Sequence, residues 1–152
     1  MPTYRWGFYK NPDYMRTLRS RACAIFFNDF QIHPERYVEG QLPRLPFADC
    51  QFDLTLVSYL LSAYQDRFDY EFHRNSLLEI MRVTRGEARI YPTVTFEARP
   101  SEYVPMLRAD LALKQFAFTE VKTDFEFLVD SNSFLKVARV QALAVHLNRA
   151  ND

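Results

Sequence analysis

Glycine is the scarcity that says most about this chain. There are three, Gly7, Gly40 and Gly86, each isolated, and no GxG occurs anywhere. A loop that cradles a nucleotide needs closely spaced glycines, because its backbone turns tightly and approaches the ligand with no Cβ in between. A reading that depends on such a loop therefore starts with a deficit. Net charge is missing too: 19 Lys and Arg balance 19 Asp and Glu. That balance supplies no electrostatic case for nucleic acid or an anionic membrane, and neither is expected as a partner. No apolar run comes near the roughly 20 residues of a membrane-spanning helix. The start, MPTYRWGFYKNPD, is polar and aromatic rather than a signal peptide. The two cysteines, Cys23 and Cys50, lack CxxC or metal-ligand spacing and read as reduced, buried packing residues. A cytoplasmic protein is expected.

Sites of familiar chemistry are equally scarce. There is no GxSxG, no Walker loop and no carboxylate pair of distinctive spacing. The histidines His33, His73 and His146 share no motif with a carboxylate or cysteine, so no metal site is expected. His73 sits in DYEFHR at a helix start. A surface or helix-terminal place is the simpler reading, and a general base above a cleft is the other. No catalytic residue is assigned.

What the chain has in quantity is apolar and aromatic surface, 48% and 16% of its 152 residues. A packed core and a single domain, residues 1–152, are expected, burying about two-thirds of the unfolded surface. Asn11-Pro12-Asp13 is a helix start: N-cap, proline at the first position, acid in the first turn. Met15, Leu18, Ala22, Ile25 and Phe26 then form a stripe suited to packing on a sheet, with Arg16, Arg19 and Arg21 off it on a solvated face. Residues 36–39 (RYVE) read as a short strand. Phe52–Ser58 reads as a central strand apolar enough to be buried on both faces.

Residues 69–83 form the second helix, with Tyr70, Leu77, Ile80 and Met81 inward and Gly86 as a cap just beyond. Residues 88–95 read as a strand that Pro92 interrupts, and 100–113 as a third helix. Segments 118–129 and 134–140, joined by the DSNS cluster at 130–133, read as an antiparallel hairpin; the tail, 141–152, reads as helical. Tyr4, Trp6, Phe8 and Tyr9 could stack on nucleobases, but without a basic excess packing against the sheet is the better account. The alternation of helices and strands predicts an α/β sheet, mostly parallel, with an antiparallel C-terminal hairpin at one edge. Phe52–Ser58 and 88–95 should be neighbours joined by a right-handed crossover.

The run LPRLPFADCQFDLTLVSYLL, residues 42–61, resembles the LPF-D--FD segment of class I S-adenosylmethionine-dependent methyltransferases, where a loop over the adenine leads into the fourth sheet strand. RVTRGE and ARIYPTV resemble the end of that family's next helix and its fifth strand, and the hairpin resembles its sixth and seventh. The resemblance covers residues 36–140. It implies a partial Rossmann-like methyltransferase sheet, S-adenosylmethionine as cofactor, and a small methyl acceptor of unknown identity. It also implies four cofactor-binding positions. Gln41 stands where the family has an acid that accepts from the adenine amino group, and the Leu42 backbone would cover the adjacent ring edge. Ser58 and Tyr59 stand at the carboxyl end of the strand, where open α/β sheets bind ligands. Asp53 matches the acid that opens the fourth strand, in a structural role.

The family's strand order is third, second, first, fourth, fifth, seventh, sixth. Its first strand, glycine-rich loop, first helix and second strand would precede the helix at 11–27, where ten residues, MPTYRWGFYK, stand instead. The chain thus resembles the C-terminal two-thirds of the family, an N-terminally truncated domain. One edge of the fourth-strand equivalent would be left bare, which invites self-association, and the first 35 residues should be the least securely packed. Two readings follow: methyl transfer to a small acceptor, or a non-catalytic interaction module or fragment of a longer methyltransferase.

Overall fold

The computed structural model describes residues 3–140. The expected helix at 141–152 and His146 lie outside them. Three helices are α1 (Pro12–Ile32), α2 (Tyr70–Val83) and α3 (Tyr103–Ala109), and four strands are β1 (Phe52–Ser58), β2 (Thr84–Tyr91), β3 (Phe116–Lys122) and β4 (Ser133–Arg139). The strands form one open sheet in the order β1-β2-β4-β3. The class is α/β, but the sheet is mixed rather than mostly parallel. Only β1 and β2 run parallel, while β2/β4 and β3/β4 are antiparallel. The expected strand at 36–39 accounts for part of the difference. Pro34 starts a 3-10 turn, Pro34–Arg36, instead. The Arg36 guanidinium and the Tyr37 hydroxyl then both donate to the Asp29 carboxylate, at 2.8 and 2.7 Å, folding this segment back on α1.

α2 is the helix that makes the core. Asp69 caps it, accepting from the Phe72 N–H at 2.8 Å, and its inward face carries Leu77, Ile80 and Met81, all at or below 1% exposure. These side chains join Ala88 and Ile90 of β2 and Leu135 and Val137 of β4 in one cluster, closed by Val104, Leu107 and Leu113. Full burial of each large aliphatic side chain contributes about 1.5–3 kcal/mol relative to exposure. Register then decides the other face. Thr55 and Val57 pair with Ala88 and Ile90, and so look toward α2. Leu54 and Leu56 pair with Glu87 and Arg89, and so look away. That second face carries an Arg89–Glu87 hydrogen bond of 2.7 Å and the Arg89 guanidinium over the Phe134 ring. Among the described residues no helix layer covers it. β1 therefore has no fully buried residue, contrary to the two-sided burial its composition predicts, and Leu56 is 68% exposed.

α1 begins as its capping signals require: Asn11 Oδ1 accepts from the Tyr14 N–H at 2.8 Å. It runs on to Ile32, where His33-Pro34 stops it. The helix does not pack on the sheet as its stripe suggests, for none of its residues is buried. Ile25, Phe26, Phe27, Phe30 and Ile32 are each at least 45% exposed. Cys23 and Cys50, read as packing residues, are both exposed free thiols. Among the described residues no helix is long and apolar enough to cross a membrane.

The hairpin strands are shorter than their alternation implied. Phe125 and Phe127 leave the ladder after Lys122 and meet the N-terminal rings instead: Phe8 lies edge-on to Phe125 at 5.4 Å and Tyr4 stacks on Phe127 at 4.9 Å. The N-terminal aromatics thus pack, but on the β3–β4 connection.

Gly86 is not a helix cap. α2 passes straight into β2 at Thr84, and Gly86 lies within the strand. A register shift between Phe52 and Leu54 brings the Asp53 carbonyl oxygen into the space that a Gly86 Cβ would occupy. Backbone against backbone cannot yield cheaply. Gly86→Ala should therefore lower stability by about 1–3 kcal/mol in urea unfolding. Gly7→Ala, which meets nothing within 4 Å, is the control; equal midpoints for the two variants would contradict this packing.

Candidate functional site

At the carboxyl ends of the two parallel strands the chain makes an abrupt turn. Tyr59 takes φ 52°, an uncommon conformation for a residue with a ring. Its N–H donates to the Tyr91 carbonyl at 2.7 Å, which fixes the turn to the end of β2. The Tyr59 ring lies edge-on to Tyr91 and parallel to Phe96, with centroids 5.4 and 6.2 Å away. Tyr64 closes on Phe96 from the other side at 4.8 Å. The opposite wall comes from the two chain segments that the backbone pairs. Arg5 N–H donates to the Phe127 carbonyl at 2.7 Å, and Val129 N–H to the Thr3 carbonyl at 3.0 Å. This strand-like contact sets Tyr4 and Trp6 against Phe127. From α1, Met15 and Arg19 complete the lining of a cavity of about 550 Å³.

The cavity is aromatic, with one cation. Arg19 holds its guanidinium 5.9 Å from the Tyr9 ring centre and 5.8 Å from that of Phe127. The Tyr59 hydroxyl is buried and has no hydrogen-bond partner. Its desolvation, reinforced by the neighbouring Tyr91 side chain, raises the phenol pKa far above its ordinary value, so the group is a donor at any working pH. No carboxylate or histidine lines this cavity. The arrangement can hold and orient a flat molecule, and it contains no general base.

The four positions assigned from sequence do not share one cavity. Tyr59 lines the aromatic one. Ser58 ends β1, paired with Tyr91 and exposed. Gln41 and Arg44 form an isolated backbone bridge, and Gln41 lines a separate cleft with Glu39, Gly40 and Leu45. Leu42 packs against the core cluster. Sequence reasoning did not place Trp6, Arg19, Phe96 or Phe127 at a site. The available signal was the matching alternation of rings at 4, 6, 8 and at 125, 127, two strand-like runs that could face each other. His73 stands in the first turn of α2, as its helix-terminal reading had it, but it is buried rather than at the surface and lines no cleft. It is 1% exposed, with Nδ1 2.8 Å from the Asp69 carbonyl and Nε2 3.0 Å from that of Leu61. It ties α2 to the turn after β1 and faces no cleft.

The segment carrying Gln41 and Leu42 is anchored to α2 by charge. Glu79 accepts from the Leu45 N–H at 2.7 Å and from both the Nε and Nη2 groups of Arg82 at 2.8 Å. Arg82 also donates to the Asp49 carboxylate and the Leu45 carbonyl, and the Cys50 N–H donates to the Arg82 carbonyl at 2.8 Å. The Arg82 guanidinium, with the Leu45 N–H assisting against burial, holds the Glu79 carboxyl at about 2.

Comparison with known proteins adds one relative. An uncharacterized protein of Methanocaldococcus jannaschii is 28% identical over 136 residues, which are 90% of this chain and 59% of the relative. The chain thus spans about 59% of that protein's length. No family model matches the chain, and no solved structure matches it.

A depressed carboxyl pKa stabilises the folded state above the unfolded value, near 4.3, and loses that contribution as pH falls through the folded value. Glu79→Gln should therefore cost about 1–3 kcal/mol at neutral pH. Its melting temperature should also fall less steeply than the parent's between pH 4.5 and about 2. Parallel pH profiles for the two proteins would contradict the anchor.

Proposed function

We propose that this chain is a methyltransferase-like domain that carries the adenine side and the acceptor side of an S-adenosylmethionine site. The sheet order supports the reading. A parallel pair bridged by α2 is followed by two antiparallel neighbours, in the order β1-β2-β4-β3. That matches fourth, fifth, seventh, sixth in the family that the LPF-D--FD run resembles. The final strand inserts between the fifth and the sixth, which is a specific topological choice rather than a generic hairpin at an edge. The reaction class implied is methyl transfer to a small nucleophilic acceptor at the strand ends, where ligands of open α/β sheets bind.

The residues present fit only part of the cofactor. Gln41 offers an acceptor oxygen for an adenine amino group, and Leu42 its backbone for the ring edge. No described residue builds a cradle for the methionine end. None of the three glycines adopts positive φ; Gly40 packs on Pro46 and Leu45, Gly86 on Asp53, and nothing surrounds Gly7. The exposed apolar surface of α1 and of β1 favours a second reading beside the first, in which the domain works by pairing with another polypeptide.

Each missing hydrogen bond to a charged ligand group forfeits about 1.5–3 kcal/mol, so a micromolar site becomes millimolar or weaker. Titrating the 152-residue chain with S-adenosylmethionine should shift the backbone amides of Gln41, Leu42, Ser58 and Tyr59 without saturating below roughly 1 mM. No shift at those amides near roughly 10 mM would remove the family reading. A micromolar dissociation constant would instead show that the glycine-rich loop is dispensable for binding.

A further inference from the structure

The aromatic cavity has more chemistry than the family resemblance uses. We infer that it is a binding site for a planar aromatic carboxylate, with the ring between Trp6, Tyr59, Phe96 and Phe127 and the carboxylate on Arg19.

Size and shape come first. At about 550 Å³ the cavity is in the range of small-molecule sites and suits a compound of one or two rings. Six of its nine lining residues are aromatic, and Met15, Leu128 and Arg19 complete the wall. Such walls favour a flat ligand with its own quadrupole over an aliphatic one of equal area, because offset and edge-on ring pairs add to simple burial. Tyr59 and Phe96 are parallel within 19°, while Trp6 stands edge-on to Phe127 at 80°. A flat ring can therefore meet both kinds of surface.

Charge then selects the ligand's polar group. Arg19 is exposed, lies one helical turn from Met15 on the cavity side of α1, and already covers the Tyr9 and Phe127 rings. A second cation would compete for those ring faces and be repelled by the guanidinium, which disfavours a quaternary ammonium ligand. A planar carboxylate matches the guanidinium fork. The Tyr59 hydroxyl is enclosed, with no surface open to the cavity, so the Tyr59 ring is what meets the ligand. Nothing in the wall can abstract a proton, so a carboxylate or another group already ionised is the form that this site accepts.

That such a compound is the methyl acceptor rests on the methyltransferase reading; that it binds does not. The chain has a single tryptophan, so one indole N–H resonance reports on the cavity. The full chain, without cofactor, is titrated with benzoate, cyclohexanecarboxylate and benzyltrimethylammonium. Benzoate should shift the Trp6 indole signal saturably, and the other two should bind at least about tenfold more weakly. Arg19→Met keeps the stem and should weaken benzoate by about tenfold or more, in a protein whose cooperative melting shows that it is folded. The inference is overturned by an indole signal that does not saturate with benzoate, by equal binding of cyclohexanecarboxylate, or by unchanged benzoate affinity in a folded Arg19→Met protein. Cofactor shifts at Gln41 and Leu42 are read in a separate experiment, so either idea can fail without the other.

Discussion

Among the described residues β2 has ladder partners on both edges and β1 on one. β2 has a parallel neighbour on one side and an antiparallel neighbour on the other, whereas β1 is bonded on one side only. Most of the architecture follows from this asymmetry. Between β1 and β2 the backbones approach so closely at Asp53 and Gly86 that a side chain has no room. At their carboxyl ends the Tyr59–Tyr91 backbone bond turns the chain over the sheet and sets the first ring of the aromatic cavity. At the open side, Leu54 and Leu56 present apolar side chains to water.

Free energy is distributed to match. One face of the sheet has α2 and α3 on it and contains the whole buried cluster. The other has ion pairs and half-exposed side chains, and α1 adds no buried residue to either. α1 is held at its two ends, by Met15 and Arg19 near the cavity and by Asp29 bonded to the following turn. Between those ends Phe26 and Phe30 meet the Tyr37 ring, while Ile25 and Phe27 remain more than half exposed. A helix of this length, with Phe26, Phe27 and Phe30 in water, is poorly stabilised by propensity alone. The same surface that weakens the isolated fold is suited to a partner.

Local signals translated well into structure where local physics decides the outcome. The Asn11 cap, the inward face of α2, β1 and the hairpin pairing were all legible, because each depends on periodicity or on a bond within one turn. What was not legible depended on tertiary partners. Gly86 looked like a cap because it follows a helix, yet its role is set by Asp53 in another strand. Composition suggested two-sided burial for β1, but burial needs a second layer, which composition cannot report. His73 is helix-terminal as read, yet two carbonyls from different segments make it a buried tie. The cavity was half legible. Tyr59 follows from the rule that ligands bind at strand ends, while Trp6 and Phe127 come together through backbone bonds between segments far apart in sequence.

β1 and α1 together form a surface that the described chain leaves uncovered, and light scattering over a concentration series tests this most directly. A mass well above the 18.0 kDa of one chain is expected, falling on dilution as copies separate at that surface. A strictly monomeric protein that melts in one cooperative transition would contradict it, because the chain would then be stable with this edge and helix in water.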